Sequence, residues 1–409
     1  MFSQTKFKGA VGALVLVAAA CGSASGSSDS PATTSPTGGA PETTVATAAP
    51  IQGVLPEGPS ALDNRFNESF PPPLIDPSEI RSGGPPPDGI PPIDNPQFVS
   101  VSEADVYLND PEPVLVVDID GDVRAYPIQI MMWHEIVNDT VGGIPVTVSY
   151  CPLCNSAVTF ERTIRGVETT FGTSGNLYIA NLVMYDRATE TLWNQIDGRA
   201  VVGLLTGEVL KQVPSATVSW GDFKASRPDA KVLDRERTGA SRSYGTNPYT
   251  GLDDPNGQPF LFNGEVDVRA KAMQRIVAIE GSTQAIAWAL DALSSDAEAN
   301  VTVGEIDGDA LTIFWKAGEA SALDTRDIAS GRDVGTVGVF SPVVDGEALT
   351  FVAVGDTFVD DQTSSTWDVF GEAVDGSLVG SKLEPVTFVR TFWFSWSTFR
   401  PDTEFFEAS

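Results

Sequence analysis

Histidine is almost missing from this chain: His134 is the single one among 409 residues. Cysteine is scarce as well, limited to Cys21, Cys151 and Cys154. With no second histidine and no further cysteine, a four-ligand metal site cannot be filled from these residue types alone. Cations are few, with Lys+Arg 25 against Asp+Glu 55 and a net charge of -30. That balance argues against nucleic-acid binding and against electrostatic docking on anionic lipid. The acids are spread along the chain, as befits a solvating surface rather than a cation site. No apolar run approaches the roughly 20 residues a bilayer-spanning helix requires. A phosphate loop, a dinucleotide fingerprint and a nucleophile elbow are also missing, so no cofactor-binding residues are assigned.

What is present begins at the N-terminus. Lys6 and Lys8 precede the apolar run Val11–Ala20, which ends in small residues directly before Cys21. The pattern predicts a lipoprotein signal peptide over residues 1–20 with lipidation of Cys21, although Ala18 stands where leucine is commoner. Residues 21–60 are rich in Ser, Thr, Ala and Pro, with no Lys or Arg between Lys8 and Arg65. Such a segment buries too little apolar surface to offset its ordering entropy and is expected to be a disordered tether. The expected location is therefore the outer face of the cell membrane, with the lipid on Cys21 as the membrane contact. A protein or small-molecule partner is not identifiable from sequence.

Residues 61–100, with Pro71–Pro73, Pro85–Pro87 and Pro91–Pro92, read as an extended arm. From 101 to 409 one globular domain is expected. Val114–Ile119 reads as a strand, Asp120-Gly121 as a turn, Pro127–Val137 as a short helix and Ile144–Tyr150 as a strand. Strand-like runs follow at about 157–162, 168–172 and 179–185. The expected class is α+β, mostly antiparallel β with a few short helices.

A weak internal repeat is visible. Val117-Asp-Ile-Asp-Gly121 through Ala125 matches Val277-Ala-Ile-Glu-Gly281 through Ala285, and Asp186-x-x-Thr189-x-Thr191-x-Trp193 matches Asp360-x-x-Thr363-x-Ser365-x-Trp367. The offset grows from 160 to 174 positions, as loop insertions would produce. The repeat predicts two similar β-rich halves, about 101–270 and 271–409. His134, Glu135, Cys151 and Cys154 do not recur; Ser294, Ser295, Lys316 and Glu319 stand at the matching offsets. Residues present in one half alone point to chemistry rather than architecture.

Three readings of His134, Cys151 and Cys154 stay open, and with them whether the protein is an enzyme. In the first, the three form an N,S,S site for copper(I) or zinc, completed by Glu135, Met131, Met132 or water. In the second, the Cys151-x-x-Cys154 pair cycles between dithiol and disulfide, with His134 tuning a thiolate. In the third reading the two cysteines form a static disulfide in a non-catalytic binding scaffold. Ser174–Tyr178 reads as a turn with a polar lip. Asp186-Arg187 reads as a salt bridge or a site lining.

The chain resembles the bacterial domain-of-unknown-function family 3179. The resemblance rests on Ala125–Pro127, Trp133–Asp139, Tyr150–Ala157, Ser174–Tyr178, Tyr185–Arg187 with Leu192-Trp193, and Phe392–Trp396 with Phe399-x-Pro401. It covers roughly residues 90–409 and implies an extracytoplasmic globular domain with His134, Cys151 and Cys154 among its signature residues. It implies no activity.

Overall fold

Strand pairing begins where valine and isoleucine concentrate. Pro113–Ile119 turns at Asp120-Gly121, both left-handed with φ 51° and 81°, and returns as Asp122–Pro127. A two-residue turn of this type matches the natural twist of the strands it joins. The computed structural model describes residues 53–294 and 297–407. Cys21, the expected signal peptide and the expected tether up to residue 52 lie outside them. Within the described residues the fold is mostly antiparallel β, and no helix exceeds seven residues. None is long and apolar enough to cross a membrane.

The sheets are small, of two to five strands, and pack around several apolar clusters rather than one. Pro113–Ile119 lies between Asp122–Pro127 and Ser215–Ser219, and Lys231–Leu233 joins parallel to Asp122–Pro127. Arg275–Glu280 lies likewise between Ala285–Ala289 and Val389–Phe392, and Glu404–Phe406 joins parallel to Ala285–Ala289.

A buried carboxylate organises a turn at two places. Asp186 accepts from the Thr189 backbone N–H (2.7 Å), Thr189 Oγ1 (2.9 Å), the Thr191 N–H (3.2 Å) and Trp193 Nε1 (3.0 Å). Asp360 accepts from the corresponding atoms of Thr363 (2.5 and 2.9 Å), Ser365 (3.0 Å) and Trp367 (3.0 Å). A fully buried carboxylate with four or more donors is satisfied, so Asp186 shapes a turn and does not line a site. Arg187 instead pairs with Asp88 (3.1 Å) and Asp94 (2.7 Å) of the arm.

The arm is bound along its length. Ile80–Ser82 pairs with Tyr178–Asn176 as an edge strand. The segment Ser174–Tyr178 is thus not a turn but part of the strand Phe171–Tyr178, bulged between Thr173 and Asn176. Gly175 sits at the bulge with φ 71°, and a Cβ there would come within 1.9 Å of the Pro85 carbonyl oxygen. Only glycine allows the arm to lie so close. Before it, Leu55 packs on the apolar cluster that contains both cysteines.

Candidate functional site

The helix over Ile128–His134 stops earlier than its sequence pattern predicts. Glu135 takes φ 59° and ψ −31° while its N–H still donates to the Met131 carbonyl at 2.7 Å. A non-glycine residue in that region costs on the order of 1–2 kcal/mol and ends the helix. Ile136–Val141 is therefore a strand, and Val137 belongs to it. Gly142-Gly143, with φ 55° and 80°, turns this strand into Ile144–Cys151. Two strands, not one, thus separate His134 from Cys151. The register pairs Ile136 with Ser149, and the Tyr150 N–H donates to the Glu135 carbonyl at 2.8 Å. The hairpin so returns Cys151 to the end of the helix. Pro152–Asn155 then closes a tight loop, with Asn155 at φ 52°, before Ser156 pairs back with Cys151.

Both thiols are free and buried. Cys151 is 1 % exposed and Cys154 0 %, among Ile136, Leu182, Met184 and Trp393. Cys154 Sγ donates to Asn181 Oδ1 at 3.1 Å and lies 3.4 Å from the Ala180 carbonyl. Asn181 Oδ1 also accepts from Ser395 Oγ at 2.6 Å. The Cys154 carbonyl accepts from Thr391 Oγ1 (2.8 Å) and the Phe392 N–H (3.1 Å). Burial first, and then the neighbouring Cys151 thiol, hold Cys154 well above the ordinary thiol range. Ile179 and Ala180, beside Cys154, are both left-handed (φ 48° and 61°). With Glu135 and Asn155 they make four strained non-glycine residues around one dithiol, a concentration typical of functional sites.

Glu135 is the unusual neighbour. The residue is 8 % exposed, and its carboxyl, which keeps an edge to solvent, makes no hydrogen bond or ion pair among the described residues. Burial alone pushes its carboxyl up to about 8. The Tyr249 ring packs against the cluster that holds Met131, Met132 and Tyr150, and its hydroxyl is raised first by burial and then by Glu135 and Cys151.

His134 faces elsewhere. Nδ1 is 2.7 Å from the Pro91 carbonyl, which can only accept, so Nδ1 carries the proton. Nε2 lies 2.6 Å from Tyr244 Oη, whose ring stacks at 5.9 Å. Burial, then Arg242, lower the His134 proton affinity, leaving a neutral ring that accepts from Tyr244. Tyr244 Oη also meets Thr238 Oγ1 at 2.7 Å. His134 therefore clamps the arm and the long segment after Leu233 to the helix end.

The expected ligand set is not assembled. Both ring nitrogens of His134 are engaged, and Met131 and Met132 are 0 % and 2 % exposed in a different apolar cluster from the thiols. No three His, Cys, Asp or Glu side chains among the described residues group as metal ligands. Sequence reasoning named Glu135 only as a fallback ligand and missed Asn181, Tyr244 and Tyr249. Ser395 lies inside the Phe392–Trp396 motif, which was a usable signal.

Fold and site together define a mostly antiparallel β protein with a buried, unbridged dithiol. The chain belongs to the family described as Protein of unknown function (DUF3179), whose family model matches residues 87–403. No curated protein and no solved structure matches it.

Proposed function

We propose that Cys151 and Cys154 cycle between dithiol and disulfide, making this an extracytoplasmic thiol–disulfide redox protein held at the cell surface through a lipid on Cys21. The observation that carries the reading is the pair itself: two free, buried thiols two residues apart on one tight loop. Oxidation to the disulfide removes two protons and two electrons, so the buried site stays neutral in both states. That suits a dry, apolar pocket.

Soft-metal handling is the second reading, and it now rests on the two sulfurs. Copper(I) suits thiolate ligands. Two thiolates around one monovalent cation leave a net negative charge in the same apolar pocket, which is why this reading ranks below the first. Equilibrating the protein with mixtures of reduced and oxidised glutathione, then alkylating it, tests the redox reading. A reversible Cys151–Cys154 disulfide supports it. Thiols that stay reduced throughout and take up copper(I) instead favour the second reading.

We further infer that residues from about 113 and from about 275 are two copies of one unit. Support comes from the shared order of strand pairings and from the matched Asp186–Trp193 and Asp360–Trp367 networks. On that reading Lys316 and Glu319 stand where Cys151 and Cys154 do. Glu319 is committed to a buried ion pair with Arg390 at 2.8 Å. One copy then carries the dithiol and the other a structural ion pair.

A further inference from the structure

The sulfur of Cys154 sits against two carbonyl oxygens. Sγ is 3.1 Å from Asn181 Oδ1 and 3.4 Å from the Ala180 carbonyl. The Asn181 amide cannot turn its nitrogen to the sulfur instead, because Nδ2 donates to the Ile179 carbonyl at 3.1 Å. Oδ1 therefore faces Cys154 and also the Ser395 hydroxyl, which donates to it at 2.6 Å. A carbonyl oxygen can only accept, so this arrangement is satisfied when Cys154 carries its hydrogen. Asn181, Cys154 and Ser395 are all 0 % exposed, which leaves solvent no way to replace a missing donor.

The turn that presents these acceptors is a strained one. Ile179 and Ala180 connect the strands Phe171–Tyr178 and Asn181–Asp186, with Tyr178 paired to Asn181. A two-residue turn with positive φ at both positions is usually built from Asn-Gly. Here Ile179 and Ala180 take φ 48° and 61°, and a β-branched residue in that region persists only where its surroundings hold it. The sulfur is fixed from the other side as well. The Cys154 carbonyl accepts from Thr391 Oγ1 and the Phe392 N–H, and Ser395 lies on the helix Trp393–Phe399 that follows. A loop, a turn and a helix thus converge on one S–H.

Resting on the dithiol reading, we propose that the pair works as an oxidant of substrate dithiols, with Asn181 as the positioning residue whose amide oxygen stabilises the Cys154 S–H and hence the reduced pair over the disulfide. In the reaction the Cys151–Cys154 S–S bond breaks and an S–S bond forms within the substrate dithiol. Two electrons pass from substrate to protein, and the two substrate protons end on Cys151 and Cys154. The proton on Cys154 completes the bond to Asn181. In the disulfide that sulfur has no hydrogen to give, and two carbonyl oxygens face its lone pairs. Stabilising the dithiol in this way raises the reduction potential, which is what makes a dithiol protein a strong oxidant. The substrate class is a pair of reduced cysteines in a peptide or protein.

The test uses the full chain carrying Cys21→Ser, in which Cys151 and Cys154 are the remaining thiols, equilibrated with glutathione redox buffers to find the midpoint. Asn181→Leu, close in volume but without an acceptor, should shift the equilibrium about fivefold toward the disulfide. At roughly 30 mV per tenfold change that lowers the midpoint by about 20 mV. Ser395→Ala should raise the midpoint, because Oδ1 then relies on Cys154 alone for the donor that Ser395 supplied in both states. Oxidised protein mixed with excess of a reduced two-cysteine peptide should turn the peptide into its disulfide and gain two alkylatable thiols. Midpoints that do not move in opposite directions overturn the role of Asn181 while leaving the dithiol intact. If Asn181→Leu fails to fold, a Ser395→Ala midpoint at or below that of the parent chain overturns it alone. A peptide that stays reduced overturns the assignment as an oxidant. A parent chain that forms no intramolecular disulfide at any ratio overturns the dithiol reading, and this one with it.

Discussion

Replacing Glu135 with glutamine should make the folded protein more stable at alkaline pH and leave it almost unchanged in acid. The carboxyl is largely buried, with no partner among the described residues, and folding raises it from an ordinary 4.5 to about 8. A group raised by folding binds its proton more tightly in the folded state, so its stabilising contribution is complete below 4.5. That contribution fades as pH climbs from 4.5 through 8. Each tenfold difference in proton affinity is worth roughly 1.4 kcal/mol, so ionising Glu135 at pH 8 costs the wild type about 4 kcal/mol. Glutamine is nearly the same shape, is never ionised and carries no such cost. Urea unfolding of both proteins at pH 5 and pH 8 isolates the term, because every other titrating group is common to the two. The gap between them should widen by about 2–4 kcal/mol from the lower to the higher pH, with the variant ahead. A gap that stays constant would show that Glu135 is solvated or paired in the folded state, and the reasoning about its proton affinity would fail.

Three further substitutions probe the scaffold. Trp193→Phe and Trp367→Phe each strip one donor from a buried carboxylate, Asp186 or Asp360, and should each cost about 1–3 kcal/mol in a denaturant titration. A cost at one site alone would break the equivalence of the two turns. Tyr244→Phe should lower stability by a similar amount above pH 6.5, where the neutral His134 ring accepts from Tyr244. Folding lowers the proton affinity of His134 below its ordinary 6.5, so that contribution is complete above 6.5 and is lost as pH falls beneath it. A Tyr244→Phe cost that does not shrink in acid would contradict the neutral-ring assignment.

Much of the local order around the site could be read from residue pattern: the Asp120-Gly121 turn, the strands that flank it, and the tight Cys151–Cys154 loop. One residue defeats the reading of the site itself. Helical pattern alone carries Pro127–Val137 through as one element and leaves His134 and Glu135 on a continuous helix. The left-handed Glu135 breaks that continuity, which sends His134 to Pro91 and Tyr244 and leaves Glu135 beside the hairpin. Nothing in the side chain of glutamate announces a positive φ; tertiary packing imposes it. Tyr244 and Tyr249 were equally out of reach. They lie between Leu233 and Arg275, a stretch with a single short 3₁₀ turn and no periodic signal, and their positions come from contacts distant in sequence. The buried aspartates are the opposite case, since the Asp-x-x-Thr spacing supplies its own donors within one turn.

Whether Cys151 and Cys154 are a redox pair is read by mass spectrometry of the Cys21→Ser chain, alkylated after equilibration across a glutathione redox series. A redox pair gives a single reversible transition in which both alkyl groups are lost together and a Cys151–Cys154 disulfide is recovered in the oxidised fraction. Thiols that remain alkylated at every ratio, or that are lost one at a time to separate glutathione adducts, would contradict it.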